Sequence, residues 1–226
     1  MTVDQLLVVD TATSLVMVVR GGLDGAVLET ASWSAGYRHG ETLLPSIERV
    51  LASAGGRSSV AGIVVGTGPG AFTGLRVGIA TAKGLAHGLG CPIVGISTGA
   101  ALLDAAAGAA DPPDGELALL LPAGPNDRVL VRAGHAPERL PGGTEPVVPR
   151  GGVLVAVDLD GRADDAATAR GRAAHDGLGA ALLRLGAARL RAGDHDDLAE
   201  LVPEYVTLPR GVTTAAGEVA WSHDPR

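Results

Sequence analysis

The sequence contains very little cysteine and very few aromatic side chains. Cys91 is the only cysteine among 226 residues, which excludes an internal disulfide framework and a thiolate metal cluster. Two Trp, two Tyr and one Phe make up the aromatic set, so the core must be built from Val, Leu, Ile and Ala. The net charge of −7 argues against a nucleic-acid-binding chain, which would carry a basic face.

Long apolar runs are also missing. No run reaches the ~18 apolar residues that a membrane span requires. The first residues begin a strand and lack the basic and apolar regions of a signal segment. We therefore expect a cytoplasmic protein without membrane attachment.

Apolar periodicity predicts the element order βββαβαβα in the first part of the chain. Period-two or continuous apolar runs indicate strands, and apolar residues at i, i+3/4 and i+7 indicate helices. The predicted elements are strands at Gln5–Val9, Ser14–Val19 and Ala26–Ser34, a helix at Glu41–Ala54, a strand at Ala61–Val65, a helix at Thr73–Leu89, a strand at Pro92–Ile96 and a helix from Ser97 to about Ala107.

The second part of the chain repeats the β-then-α order in reduced form. Asp111–Gly115 reads as a linker by composition. It is followed by predicted strands at Leu117–Leu121, Arg128–Val131 and Val153–Val157, a proline-rich break at Pro137–Pro149, a helix at Ala173–Arg191 and an extended tail at Leu201–Arg210. We predict two domains, a first lobe at residues 1–108 and a smaller second lobe at residues 109–226.

The most informative segment is Gly66–Lys83, a glycine-rich loop that runs into a helix with further glycines. Each glycine inside a helix costs roughly 1 kcal/mol, so their presence indicates close approach of another backbone. The segment is not a Walker loop, because Thr73 to Arg76 stand where Gly-Lys-Ser/Thr would be required. Thr73 is predicted to be the N-cap of the helix. A phosphate cradle and a docking surface both remain open from these residues alone.

Five segments together resemble the TsaB (YeaZ) family: VVDTATSLVMVV, HGETLLPSIERVL, GTGPGAFTGLRVGIATAKGLA, CPIVGISTGAAL and LVPEYVTLPRG. The resemblance is strong over residues 5–105 and thin afterwards. It implies an α/β, duplicated ribonuclease-H-like or actin-like ATPase (ASKHA) fold with a reduced second lobe. It also implies a scaffold or activator role in making threonylcarbamoyladenosine next to the anticodon of tRNA, beside a catalytic paralogue, TsaD, and an ATPase, TsaE.

The chain departs from active actin-like ATPases in its first phosphate turn. Asp10-Thr11-Ala12-Thr13 has Ala12 where active actin-like ATPases carry the glycine of an Asp-x-Gly-Thr turn, and a Cβ there obstructs a phosphate. The nearest candidate for the second phosphate loop, Val157–Gly161, is a poor match. We therefore expect no nucleotide cofactor and no catalysis by this chain alone. An actin-like small-molecule kinase or ATPase is the alternative.

Metal binding is also not expected. TsaD-like paralogues carry two histidines at i, i+4 on one helix, a spacing suited to a metal. The corresponding residues are Thr98 and Leu102, and neither replaces an imidazole. The six histidines show no paired spacing and are expected to be solvated or capping residues. A stand-alone peptidase is disfavoured for these reasons, and Ser97 lacks a nucleophile elbow. The resemblance also places a hairpin where Pro122–Leu130 departs from the family pattern.

The first-lobe helices are the predicted partner surface. Gly74, Gly78 and Ala82 form a small-residue stripe at helical spacing, which either lets the helix lie flat on its own sheet or lets it approach another protein. The second interpretation is favoured. The predicted interface residues are Leu43, Ile47, Val50, Gly74, Val77, Gly78, Thr81 and Ala82. We expect them to contact TsaD, to form a homodimer when the chain is alone, and to leave any tRNA contact to the assembled complex.

Overall fold

A computed structural model describes residues 5–34, 36, 39–52, 56, 59–109, 111, 114–148 and 150–206, without the side chain of His39. Within these ranges lie nine strands and four helices. The strands are β1 Gln5–Asp10, β2 Leu15–Gly22, β3 Val27–Ser34, β4 Val60–Gly66, β5 Ile93–Ile96, β6 Leu117–Ala123, β7 Asp127–Arg132, β8 Glu138–Leu140 and β9 Val153–Ala156. The helices are α1 His39–Ala52, α2 Phe72–Leu89, α3 Thr98–Ala107 and α4 Asp165–Arg191.

The first sheet has five strands in the order β3-β2-β1-β4-β5. β1, β2 and β3 form an antiparallel meander, whereas β1, β4 and β5 run parallel to one another. β1 and β4 are almost wholly buried, as expected for strands covered on both faces. The edge strand β3 alternates between exposed and half-buried residues.

The second sheet has four strands in the order β8-β7-β6-β9. β6 pairs antiparallel with β7 and parallel with β9. The second sheet therefore repeats the mixed pairing of the first sheet with fewer strands. The hairpin between β6 and β7 keeps its register up to Ala123 and Asp127, with Pro122 opposite Arg128. The chain therefore forms the β6–β7 hairpin even though Pro122–Leu130 departs from the family pattern.

The helices complete a layered arrangement. Apolar residues of α3 and α4 share one core with both sheets, so these two helices lie between them. α1 and α2 cover the opposite face of the first sheet and form a second core with it. Among the described residues, no helix is both long enough and apolar enough to cross a membrane.

The predicted α/β class and the order βββαβαβα are confirmed over residues 5–107. The helix predicted to start at Ser97 is α3, and Ser97 is its N-cap, accepting from Ala100 N at 3.3 Å. The predicted start of the last helix at Ala173 was wrong, because α4 begins at Asp165 with Asp164 as its N-cap. The short strand β8, which lies inside the predicted proline-rich break, was not predicted. The predicted extended tail at Leu201–Arg210 is described only to residue 206, and that part forms neither a helix nor a strand. The division into two domains near residue 108 stays a prediction.

Candidate functional site

The turn after β1 is built around a buried carboxyl group. Asp10 is fully buried, and it accepts from the hydroxyl of Thr98 at 2.6 Å and from the backbone N–H of Ala12 at 3.0 Å. Burial raises the pKa of Asp10, and the hydrogen bond from Thr98 acts in the opposite direction. A carboxyl group held in this way braces the turn against the start of α3.

The glycine-rich loop packs against this same turn. A Cβ at Gly66 would overlap the Asp10 carboxylate, and a Cβ at Gly70 would overlap the carbonyl of Ala12. The backbone N–H of Ala71 donates to that carbonyl at 2.7 Å. These glycines are therefore explained by contacts within the chain, and a phosphate cradle is not needed to account for them.

The turn is also bonded directly to the loop after β9 that includes Val157–Gly161, the segment considered above as a second phosphate loop. Ser14 donates to the carboxylate of Asp158 twice, from its backbone N–H at 2.7 Å and from its hydroxyl at 2.5 Å. Asp158 adopts a left-handed backbone conformation with φ 57°. A carboxylate thus already accepts the backbone N–H of Ser14, directly after the turn at residues 10–13.

A buried histidine of α4 makes a further hydrogen bond to this turn. Nε2 of His175, on α4, lies 2.8 Å from Oγ1 of Thr13. The Thr13 hydroxyl donates its single proton to the carbonyl of Leu15 at 3.0 Å, so His175 is the donor to Thr13. The expectation that His175 is solvated or capping was wrong. Its position three residues before Leu178 places it on the same, buried face of α4, and this spacing could have predicted its burial.

The two positions that correspond to the metal-binding histidines of the paralogues lie in the interior. Thr98 is fully buried and bonded to Asp10, and Leu102 is a core residue. In the described part of the chain, no three His, Cys, Asp or Glu side chains are grouped as metal ligands would be. At these two positions α3 therefore packs into the interior, and neither side chain is a metal ligand.

Six of the eight predicted interface residues are in the chain's own core. Buried against the first sheet and its turn are Leu43, Ile47, Val50, Gly74, Gly78 and Ala82. The expectation that these residues are exposed was wrong, because the small-residue stripe of α2 receives the chain itself. Only Val77 and Thr81 are half-exposed. That this side of the protein meets a partner stays a prediction.

The outward side of α1 and α2 consists of other residues. Leu44 of α1 is 49 % exposed, although it is a large apolar side chain. On α2, Ala80, Gly84 and Gly88 face outward, and a Cβ at either glycine would meet nothing within 4 Å. Together with Val77 and Thr81, these residues are called the outer helix face below.

The start of α2 is held by aromatic contacts and not by the predicted cap. Ala71 is its N-cap, without a side-chain hydrogen bond, so the assignment to Thr73 was wrong. The guanidinium of Arg76 lies 3.9 Å from the centroid of the Phe72 ring, and its Nε donates to the hydroxyl of Tyr205 at 2.9 Å. The tail is thereby attached to the first lobe.

Comparisons with known proteins agree with this architecture. The family model described as TsaD, tRNA N6-adenosine threonylcarbamoyltransferase, matches residues 33–148. The TsaB tRNA threonylcarbamoyladenosine biosynthesis protein of Haemophilus influenzae is 44% identical over 69 residues, 30% of this chain and 29% of that protein. Its Escherichia coli namesake is 36% identical over 96 residues, 42% of this chain and 40% of that protein. The chain therefore spans less than half the length of the curated relatives it matches.

The solved structure of YeaZ from Pseudomonas aeruginosa superposes with a TM-score of 0.66 at 22% identity, covering 90% of this chain and all of that one. This likeness, together with the match to the TsaD family model, confirms the predicted actin-like α/β fold. Because the TsaD family model matches just over half of the 226 residues, and curated relatives carry the TsaB name, the chain belongs to the TsaB (YeaZ) members of that family.

Proposed function

We propose that this protein is a non-catalytic subunit of the cytoplasmic assembly that installs threonylcarbamoyl on the tRNA adenosine next to the anticodon. In this proposal it activates the catalytic paralogue TsaD by pairing with it, while TsaE supplies ATPase activity. The names of the TsaB relatives, tRNA threonylcarbamoyladenosine biosynthesis proteins, support the pathway. The match to the TsaD family model supports pairing between two chains of one ancestry.

The observation that carries the non-catalytic role is the contact between Ser14 and Asp158. An active phosphate turn must present free backbone N–H groups to an anion. Here the N–H of Ser14 already donates to a carboxylate, at 2.7 Å. The negative charge of Asp158 at this point would repel a phosphate. The same contact disfavours the alternative of a small-molecule kinase or ATPase.

A second observation concerns Ala12 itself. Its backbone N–H donates to Asp10, its carbonyl accepts from Ala71, and its side chain is only 2% exposed. A nucleotide would have to displace these bonds as well as the Asp158 carboxylate. The turn is therefore a structural connection between the two sheets.

We assign the pairing with TsaD to the outer helix face. This face lies on the same two helices that the sequence predicts to meet the partner, but it consists of their exposed residues. Its α2 part consists mainly of small residues, which permits close approach of another helix. The exposed Leu44 adds an apolar side chain that would be buried in such a contact.

Reconstitution tests the proposal. The chain, cognate TsaD, TsaE, tRNA, ATP and threonylcarbamoyl precursors should give modified tRNA, and omission of the chain should lower the yield strongly. Size-exclusion chromatography with light scattering should show a complex of the chain with TsaD. The purified chain should hydrolyse ATP no faster than a blank. ATP turnover that Asp10→Ala abolishes would contradict the non-catalytic role.

A further inference from the structure

A cavity of about 560 Å³ lies between α3 and the start of the second sheet, away from the outer helix face and from the Ser14–Asp158 contact. Its volume falls in the range of small-molecule sites. The walls are mainly apolar and include Leu103, Ala107, Leu117, Val131 and Pro137. Nothing in the proposed scaffold role uses this cavity.

Glu204 is a carboxylate at the cavity that has a hydrogen-bond donor but no ion-pair partner among the described residues. It is half-buried and held in place by its backbone N–H, which donates to the carbonyl of Thr67 at 2.7 Å. Its carboxylate accepts from the hydroxyl of Ser97 at 3.0 Å, but the carbonyl of Gly68 competes for that proton at 3.1 Å. Among the described residues, no cation lies within ion-pair distance of this carboxylate.

The other charges around the cavity leave it acidic. Asp104 is paired with Arg184, and Arg132 is paired with Glu138 at 3.6 Å. Glu116 lines the cavity and, like Glu204, has no ion-pair partner in the described part of the chain. Burial raises the pKa of Glu204, and the hydrogen bond from Ser97 opposes this effect. A cation beside Glu204 would offset the cost of desolvating the carboxylate.

We infer that this cavity binds an organic cation with an apolar body, an alkyl or aryl amine whose ammonium group pairs with Glu204. The apolar part would lie against Leu103, Val131 and Pro137, and the ammonium group would take the position that no side chain of the described chain occupies. Glu116 adds attraction at longer range. The site is independent of pairing with TsaD and of the Ser14–Asp158 contact.

Two fluorescent probes with the same apolar body test this inference. Dansylcadaverine carries a terminal ammonium group, and N-acetyl-dansylcadaverine is its neutral counterpart. Titrated into the full chain, the amine should bind saturably at one site, and the acetylated form should bind about tenfold more weakly, as expected for loss of one charge-assisted hydrogen bond. Equal affinities, or no saturable binding, would overturn the inference.

Three variants locate the site. Glu204→Gln should weaken binding of the amine about tenfold and leave the acetylated probe unchanged. Glu200→Gln, at an exposed acidic residue four positions before Glu204 that does not line the cavity, is the matched control and should bind normally. Ala100→Trp, at an exposed lining residue, should block both probes. If Ala100→Trp does not fold, the two glutamate variants decide: equal losses in both would contradict the site.

Discussion

The side chain of Thr11 fills the space beside Gly78 that a Cβ at that position would need. Its hydroxyl donates to the carbonyl of Gly74, one helical turn earlier, at 2.7 Å. Two glycines of α2 thus allow the turn after β1 to seat directly on the helix. Their role in the folded chain is internal packing, whatever else the helix contacts.

The first prediction concerns Gly78. Gly78→Ala should lower the free energy of unfolding by about 1–3 kcal/mol, because the added methyl overpacks a closed contact. Gly78→Arg should prevent folding, because it also buries a charge. Urea unfolding followed by circular dichroism measures the first change and detects the second.

Gly84→Ala is the matched control, since Gly84 lies on the same helix with open space around its Cβ. This variant should gain about 1 kcal/mol from helix propensity alone. If Gly78→Ala proved as stable as Gly84→Ala, Thr11 would have to move without cost, and the packing role of Gly78 would be wrong.

The second prediction tests the outer helix face. Alone, the chain should form a symmetric dimer through this face, and with TsaD it should exchange that dimer for a heterodimer. Gly84→Arg should abolish both associations at concentrations of tens of micromolar, because a long charged side chain cannot enter a close helix contact. Sedimentation velocity, with and without TsaD, gives the result.

The control for the second prediction is Ala180→Arg, an equally exposed small-to-charged change on α4. It should leave both associations intact. Thermal melting should show that both variants fold. A folded Gly84→Arg protein that still dimerises and still binds TsaD would place the partner surface elsewhere.

Much of the first lobe could be predicted because its signals are local. Strand and helix periods, glycine stops and the Ser97 cap depend on neighbouring residues, and the predicted order of eight elements is confirmed. The start of α4 was missed because glycine has a low helix propensity, so a local rule begins the helix after Gly171. In the fold that glycine is required, since a Cβ there would overlap the carbonyl of Ala156.

The face of α2 was assigned wrongly because periodicity groups residues without saying which group meets the sheet. Gly74, Gly78 and Ala82 form one small stripe, and Ala80, Gly84 and Gly88 lie on another. Leu75 and Ile79 flank the first stripe and are buried, so the larger apolar side chains marked the inner side. The bond between Ser14 and Asp158 had no such marker, since it joins residues 144 positions apart.

The third prediction quantifies the hydrogen bond from the Ser14 hydroxyl to the Asp158 carboxylate, which Ser14→Ala removes while the backbone N–H bond stays. A double-mutant cycle with Ser14→Ala and Asp158→Ala should give a coupling energy of about 1 kcal/mol, because the contact is charge-assisted but exposed. Asp158→Asn should be milder than Asp158→Ala, since Asn tolerates the left-handed backbone and still accepts one hydrogen bond. Additive effects in the cycle would show that the Ser14 hydroxyl and the Asp158 carboxylate do not stabilise each other, since the backbone N–H bond is present with either residue at position 14.

The fourth prediction concerns the pH dependence that Asp10 confers. Its pKa in the folded state is raised above 3.8, chiefly by burial. Between 3.8 and that raised value, the folded state holds more protons than the unfolded state. The contribution of Asp10 to the free energy of unfolding therefore falls as the pH rises through this window and is constant above it.

Asp10→Asn removes the titrating group while keeping a side chain of similar shape. The free energy of unfolding of the wild type minus that of Asp10→Asn should decrease as the pH rises from about 4 and then level off. Urea unfolding of both proteins across this range measures the difference, in which the titration of all other carboxyl groups cancels. Thr98→Val should extend the decrease to higher pH, because the hydroxyl that lowers the pKa of Asp10 is lost. A difference that is flat with pH would mean that Asp10 ionises in the folded state as it does in the unfolded chain, and that the turn tolerates its charge.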